Sequence, residues 1–445
     1  MGAALRLALC GRRVLLLERH SRLGGMNSWY ERGGLTLDTG LHALTNYAPE
    51  NDSKAILNQV LRQLRIRRNT LGLCPQKRSR IVFRNGELLL NNDYEAFAAQ
   101  VKERFPQDAS GFDALSDKIL REGYSSAERV WCSANGVLAE HLSSELLRDM
   151  LRFPIMYYGD ASADDMDFGA FATMYRSVFM EGFSRPLGGM RQFLGAFEER
   201  LKNSGVELSL GTGVKELLFD GAGAVRGVLT DNGEEISTAN VISTIGAFET
   251  ARLCGASAST RLMQVPAGEI GFLEAIFTLP KTPAEYGWED AILFACRTES
   301  FRFAPPEGDA VESMLVCAPG NYIGTEGDEA RMLRLSTIVR PQDWLEANAE
   351  DYKVRKRSLV EKLRECLAEY SPAMADELVL VDAFTPKTIR RWTGHANGAI
   401  YGSPTKFGGF ESGVSRLQIA GTDQGLLGIT GSMLSGILAA NRIGN

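Results

Sequence analysis

The chain has few residues of the kinds that build metal sites, disulfides, nucleic-acid interfaces or membrane spans. It has four histidines, His20, His42, His141 and His395, and no two stand in HxxxH or HExxH spacing. Metal sites draw their ligands from such clusters, so the sequence proposes none. Seven cysteines, Cys10, Cys74, Cys132, Cys254, Cys296, Cys317 and Cys366, form no CxxC or CxxxxC pair, and their number is odd. That pattern argues against a disulfide framework and fits a reducing, cytoplasmic compartment. Cationic excess is missing too, with 49 Lys and Arg against 55 Asp and Glu, a formal net charge of -6. A nucleic-acid binder shows the opposite balance. No apolar run reaches the ~20 residues a spanning helix needs. The apolar opening is interrupted by Arg6, Arg12 and Arg13 and leads into a strand pattern, which weighs against a signal peptide. Peripheral contact with a membrane stays open, as does the oligomeric state.

What is present is an α/β pattern spread over 445 residues, enough for two lobes around one cleft. Residues 2–10 predict a helix that Gly11 closes. "RVLLLE" predicts a buried parallel strand with an acid, Glu18, at its carboxyl end. Helix, tight turn and strand form the second half of a βαβ unit. In a dinucleotide fold the acid follows the glycine fingerprint by ~20 residues and accepts from the adenosine ribose. Counting back from Glu18 places that fingerprint before residue 1. Read without this context, Glu18 is a strand-end acid and no more; "RLGG", with Arg22, Gly24 and Gly25, strengthens the ligand reading.

Residues 52–68 predict a basic helix, and Asn85-Gly86 a hairpin. From about 94 to 180 the pattern is helical and rich in Phe, Tyr and Met, fitting a core or an apolar channel. "PLGGM" opens an amphipathic helix carrying Phe193, Phe197 and Leu201 on one face. A three-stranded meander follows, with turns at Asp220-Gly221 and Asn232-Gly233, and returns to a buried strand "NVISTIG". Backbone at Val214 is placed to meet an adenine, and a plain structural sheet is the equal alternative. Residues 256–385 mix strands with a long helix near 352–370. Last comes "IAGTDQGLLGITGSMLSG": a strand ending at Gly421, Asp423 in a loop, then Gly428 and Gly431 before a small-residue helix. Such a helix start favours phosphate or an electron-rich ring edge.

Taken in order, these stretches resemble the phytoene desaturase, carotenoid isomerase and retinol saturase group of the amine-oxidase-like flavoproteins. The matching segments are "VLLLERHSRLGGMNSWYERGGLTLDTGLH", "PLGGMRQFLGAFEERLKNSGVELSLGTGVKELL" with "ANVIST", "FTPKTIRRWTGHANGAIYG" and "IAGTDQGLLGITGSMLSG". The resemblance implies a Rossmann-like FAD-binding domain, incomplete at its amino terminus, with a discontinuous α+β substrate domain. Residues 1–75, 185–255 and 386–445 would form the first, and 76–184 and 256–385 the second. It implies one FAD, with Glu18, and Arg19 beside it, at the adenosine ribose. Arg22, Gly24 and Gly25 would line the pyrophosphate and flavin path, and Val214 the adenine. Gly421, Asp423 and the Gly428, Ile429, Thr430 and Gly431 loop would hold the ribityl, pyrophosphate and flavin end.

The implied activity is oxidation or reduction of carbon–carbon bonds in an apolar polyene such as a carotenoid, with hydride passing to or from flavin N5. The alternatives are a redox-neutral cis–trans isomerase, an amine-oxidase-like flavoenzyme and a non-catalytic truncated scaffold. No catalytic base is assigned; His42 and His395 are candidates by motif neighbourhood only. Two departures stand out. The GxGxxG loop is missing, so the chain as written is expected to bind FAD weakly. "GTDQG" stands where many carotenoid desaturases have Gly-Asp followed by a Pro-containing loop, which leaves the substrate open.

Overall fold

The computed structural model describes residues 1–40, 43–122, 131–159 and 162–444. Its first layer is assembled from segments far apart in sequence. Helix α1 (Gly2–Leu9) is rich in Ala and Leu, which lose little freedom in a helix. Gly11, at φ 77, turns the chain out of it. Strand β1 (Leu15–Glu18) follows, then helix α2 (Ile56–Gln63) and helix α3 (Gly189–Asn203). Strand β2 (Glu207–Leu210) lies parallel to β1, with Leu15 opposite Glu207 and Glu18 opposite Leu210. Strand β3 (Val241–Ser243) lies parallel to β4 (Leu417–Ile419), and helix α4 (Gly428–Gly444) closes the chain.

Parallel neighbours require a crossover between them. Here the two crossovers, residues 19–206 and 244–416, are long enough to carry most of a second layer. Between β2 and β3 stands the meander Val214–Phe219, Val225–Thr230 and Glu235–Ser237, antiparallel throughout. Its first turn runs to Gly223 rather than closing at Gly221, because Asp220 Oδ1 accepts from Ala222 and Ala224 N–H and widens the loop.

The second layer is a seven-stranded sheet. Its spatial order is Val379–Phe384, Gly271–Thr278, Met332–Val339, Ser313–Cys317, Ile292–Cys296, Ser79–Phe83 and Gly86–Leu90. All neighbours are antiparallel except Ile292–Cys296 with Ser79–Phe83. Four inner strands, Gly271–Thr278, Met332–Val339, Ser313–Cys317 and Ile292–Cys296, read as largely apolar runs because both of their faces are covered. Phe272, Ile292, Phe294, Leu315 and Ile338 meet the helical segments between 94 and 180. Leu273, Ala275, Leu293, Val316 and Leu335 meet Leu359, Leu363 and Leu367 of the helix Ala349–Ala368.

The basic helix expected over 52–68 is shorter, at Ile56–Gln63. Asp52 Oδ1 accepts from Lys54 and Ala55 N–H and holds the approach in a turn. At the other end Arg65 adopts φ 55 and stops the helix. α1 and α4 pack at backbone distance, since a Cβ added at Gly436 would lie 2.8 Å from Ala3 N and one at Gly2 2.7 Å from Met433 O. Among the described residues no helix is long and apolar enough to cross a membrane.

Candidate functional site

β1 delivers Glu18 half-buried at the edge of the first layer. Its Oε1 accepts from His20 N–H at 2.9 Å, which bends the chain immediately after the strand. Arg19 then reaches across and donates to the Trp392 carbonyl at 2.8 Å, and the His20 ring meets the same carbonyl. The Arg19 stem passes Gly213 at 3.2 Å from where that residue's Cβ would sit. Glu18, Arg19 and the start of the strand at Val214 are thus brought to one rim.

Arg22 lies 4.2 Å from the Trp29 ring centre and Arg191 4.9 Å from the same ring, so two guanidinia stack on one indole. Gly24 is confined to glycine twice over: its φ is 114, and an added Cβ would meet Leu194 Cδ1 at 2.7 Å. Gly25 has open space around it.

At the carboxyl-terminal motif the acid is engaged by the protein's own backbone. Asp423, read as an acceptor for a sugar hydroxyl, is 3% exposed and turned inward. Oδ2 accepts from Ala247 N–H at 2.7 Å and Oδ1 from Ser403 N–H at 2.9 Å. Its own carbonyl accepts from Phe407 N–H at 2.5 Å. A Cβ at Gly402 would fall 2.0 Å from Asp423 Oδ1, so the loop closes on this carboxylate only with glycine there. Asp423 fastens three loops together, and Gly421, at φ 108, sets the turn that aims it. The reason is supply: buried N–H groups must be paired, and a carboxylate is the strongest available acceptor.

α4 starts at Gly428, four residues earlier than the sequence pattern placed it. The free N–H groups of its first turn belong to Gly428, Ile429 and Thr430, and the helix dipole adds partial positive charge there. Thr430 is buried and Ile429 half-buried. A narrow cleft of about 10 Å³ lies against this turn, lined by Asn46, Thr173, Ser177, Leu427, Thr430 and Gly431 among others. Asn46, at φ 65, donates to Ser177 Oγ at 2.9 Å and to Glu181 Oε2 at 2.8 Å. Ser177 belongs to a π-helical turn, Arg176–Met180, a distortion frequent at functional sites.

Beyond Leu427 lies an aromatic cluster. Leu427 Cβ sits 3.0 Å from the position a Cβ would take at Gly159. Tyr157 meets Phe153, Phe272 and Phe303 edge-on, at centroid distances of 5.0, 5.3 and 5.7 Å. Tyr401 holds φ 63 and donates its hydroxyl to the Tyr157 carbonyl at 2.5 Å. Tyr158 packs on Phe183 and Phe294, and its buried hydroxyl has no hydrogen-bond partner among the described residues. Burial pushes the phenols of Tyr157, Tyr158 and Tyr401 up, so all three stay neutral. Ile400, Tyr401, Tyr158 and Met180 are half-buried along the border of this cluster.

Two buried ion systems, absent from the sequence reading, join the layers. Arg334 donates Nε to Glu274 at 2.6 Å and Nη2 to the Thr39 carbonyl at 3.0 Å. Arg185 meets Asp38 at 2.6 Å and Glu329 at 2.7 Å. For Glu274 and Arg334 the available signal was a charge inside an apolar strand, "FLEAIF" and "MLRLST". Of the two histidine candidates, His42 lies outside the described residues. His395 uses its Nδ1 on the Ala399 carbonyl at 3.1 Å, a loop-shaping contact.

Comparison with known proteins adds a family. The family described as flavin containing amine oxidoreductase matches residues 1–444. Prolycopene isomerase of Daucus carota is 23% identical over 96% of this chain and 71% of that protein. All-trans-retinol 13,14-reductase of Homo sapiens is 22% identical over 100% of this chain and 83% of its own. Among solved structures, an oxidoreductase from Methanosarcina mazei superposes with a TM-score of 0.68 at 15% identity, covering 99% of this chain and 97% of that one. At that identity the likeness shows the fold alone.

Proposed function

The chain belongs to the flavin containing amine oxidoreductase family, and on that premise we propose that it is a flavin-dependent enzyme acting on the carbon–carbon double bonds of an apolar polyene. Redox-neutral cis–trans isomerisation is the leading reading. The observation that carries the substrate class is the junction at Leu427, where the glycine-opened start of α4 passes into the aromatic cluster around Tyr157. A flavin end held at α4 would face apolar rings and neutral phenols. Such walls suit a polyene and exclude water. The likeness to a prolycopene isomerase, over 96% of this chain and 71% of that protein, supports isomerisation. The likeness to a retinol reductase, over 100% of this chain and 83% of that protein, supports double-bond reduction as the second reading.

The residues present supply part of an FAD site: no GxGxxG loop stands among them, and the cleft against α4 measures about 10 Å³. Glu18 offers a half-exposed carboxylate at a strand end, Gly25 has open space beside its backbone, and Arg22 and Arg191 carry two guanidinia on the Trp29 ring. The first turn of α4 offers N–H donors for the electron-rich edge of the ring. Bound there, the flavin supplies the electron density that weakens a double bond. The protein's part is positioning: Asp423 clamps the loops around the site, and Tyr401 and Tyr158 shape its border.

Glu18→Ala is expected to weaken FAD binding by about 1.5–3 kcal/mol, the worth of a hydrogen bond to a charged group. Fluorescence titration of the protein with FAD measures it, and an unchanged affinity removes Glu18 from the site. The substrate class is tested by titrating flavin-loaded protein with a polyene and with an amine. The proposal expects the polyene to perturb the flavin absorbance bands and the amine to leave them unchanged.

A further inference from the structure

We propose that the groove at the carboxyl end of α2 is a binding site for a phosphate group, separate from the flavin site. The groove encloses about 510 Å³ and is lined by Arg62, Arg65, Arg67 and Arg68, with Glu50 and Asn58 on its walls. Between residues 50 and 69 the sequence carries five cations and two carboxylates, in a chain whose net charge is -6. The local balance therefore opposes the global one. None of the groove's lining residues is shared with the cleft against α4.

The four guanidinia are not equivalent. Arg62 donates to the Ser53 carbonyl at 2.6 Å, and Arg68 donates to Asn58 Oδ1 at 2.9 Å while stacking on Tyr47. Burial lowers the Arg68 pKa, and Tyr47 and Glu50 oppose that shift. These two are tethered and shape the floor. Arg65 and Arg67 are exposed, and the structure gives neither side chain a hydrogen bond or an ion pair among the described residues.

Arg65 also occupies a costly position. At φ 55, just past the end of α2, glycine is the ordinary choice. A side chain there is strained, yet it carries a free guanidinium into the groove. Guanidinium forks match the paired oxygens of an oxyanion, which favours phosphate or carboxylate over a simple halide, and four guanidinia around one groove suit the higher charge of a phosphate. A lipid headgroup and a free phosphate or pyrophosphate share that chemistry.

Three probes separate the outcomes: vesicles of phosphatidylcholine alone, vesicles containing about one-third phosphatidylglycerol, and inorganic pyrophosphate. The variant is Arg65→Gly with Arg67→Gln, in which glycine suits the left-handed backbone and the fold is expected to keep its melting temperature. Binding to the anionic probe is expected to fall by roughly tenfold or more in the variant, since each basic side chain at an anionic surface contributes about fivefold. Loss on anionic vesicles alone identifies a lipid headgroup. Loss on pyrophosphate identifies a free phosphate ligand. If neither anionic probe binds the parent protein, or the variant binds them as tightly as the parent, the proposal is overturned.

Discussion

Replacing Arg185 with leucine is expected to destabilise the protein by about 3–5 kcal/mol, the range for removing one partner of a buried ion pair. Arg185 is 3% exposed and lies between Asp38 at 2.6 Å and Glu329 at 2.7 Å. The neighbouring carboxylates hold its pKa above the usual arginine value despite burial, so the charge is retained in the fold. Without it, Asp38 stays buried with the Met190 N–H at 2.9 Å as its remaining hydrogen-bond donor. That N–H opens α3, so the loss spreads to the start of the helix. Urea unfolding measures the difference. Adding Asp38→Leu to the variant should recover part of the loss, because an apolar pair of similar volume needs no charge compensation. A loss below about 1 kcal/mol in the single variant would place the pair among weak surface bridges.

The second large effect is at Asp423. Asp423→Ala leaves the Ala247 and Ser403 N–H groups buried without an acceptor, and each costs about 1–3 kcal/mol. The combined loss is about 2–6 kcal/mol, read by urea unfolding of the flavin-free protein. A residue whose role was to hold a sugar hydroxyl would give a different pattern: weaker flavin binding with the fold unchanged. Asp423→Asn is informative beside it, since the amide keeps the volume but sets an N–H donor against one of the two backbone donors. Its loss should approach that of alanine.

Much of the first layer was legible because its signals are local. "GAALRLAL" and "LLLE" carry their own helix and strand character, and the Asn232-Gly233 turn marks a meander from neighbouring residues alone. Glu18 was legible as a strand-end acid, whereas the packing of Leu194 against Gly24 was not. The inward turn of Asp423 was not. Its donors stand 176 and 20 residues away, and a one-dimensional pattern shows only an acid in a glycine-rich loop. The Glu274–Arg334 pair failed to register for the same reason, with 60 residues between two charges that look like flaws in apolar strands. The aromatic richness of 94–180 was visible, but not that Tyr401, far downstream, completes the cluster through one strained residue.

The proposed activity is tested most directly by product analysis of flavin-loaded protein with a cis-configured polyene, run anaerobically with the flavin oxidised and with it reduced. Chromatography with mass detection separates the outcomes. The proposed isomerisation predicts a product of unchanged mass and altered retention, formed with reduced flavin only. A product heavier by two hydrogens supports the reductase reading instead. An unaltered polyene in both redox states, together with peroxide release from an amine in air, would contradict the proposal that this protein acts on carbon–carbon double bonds.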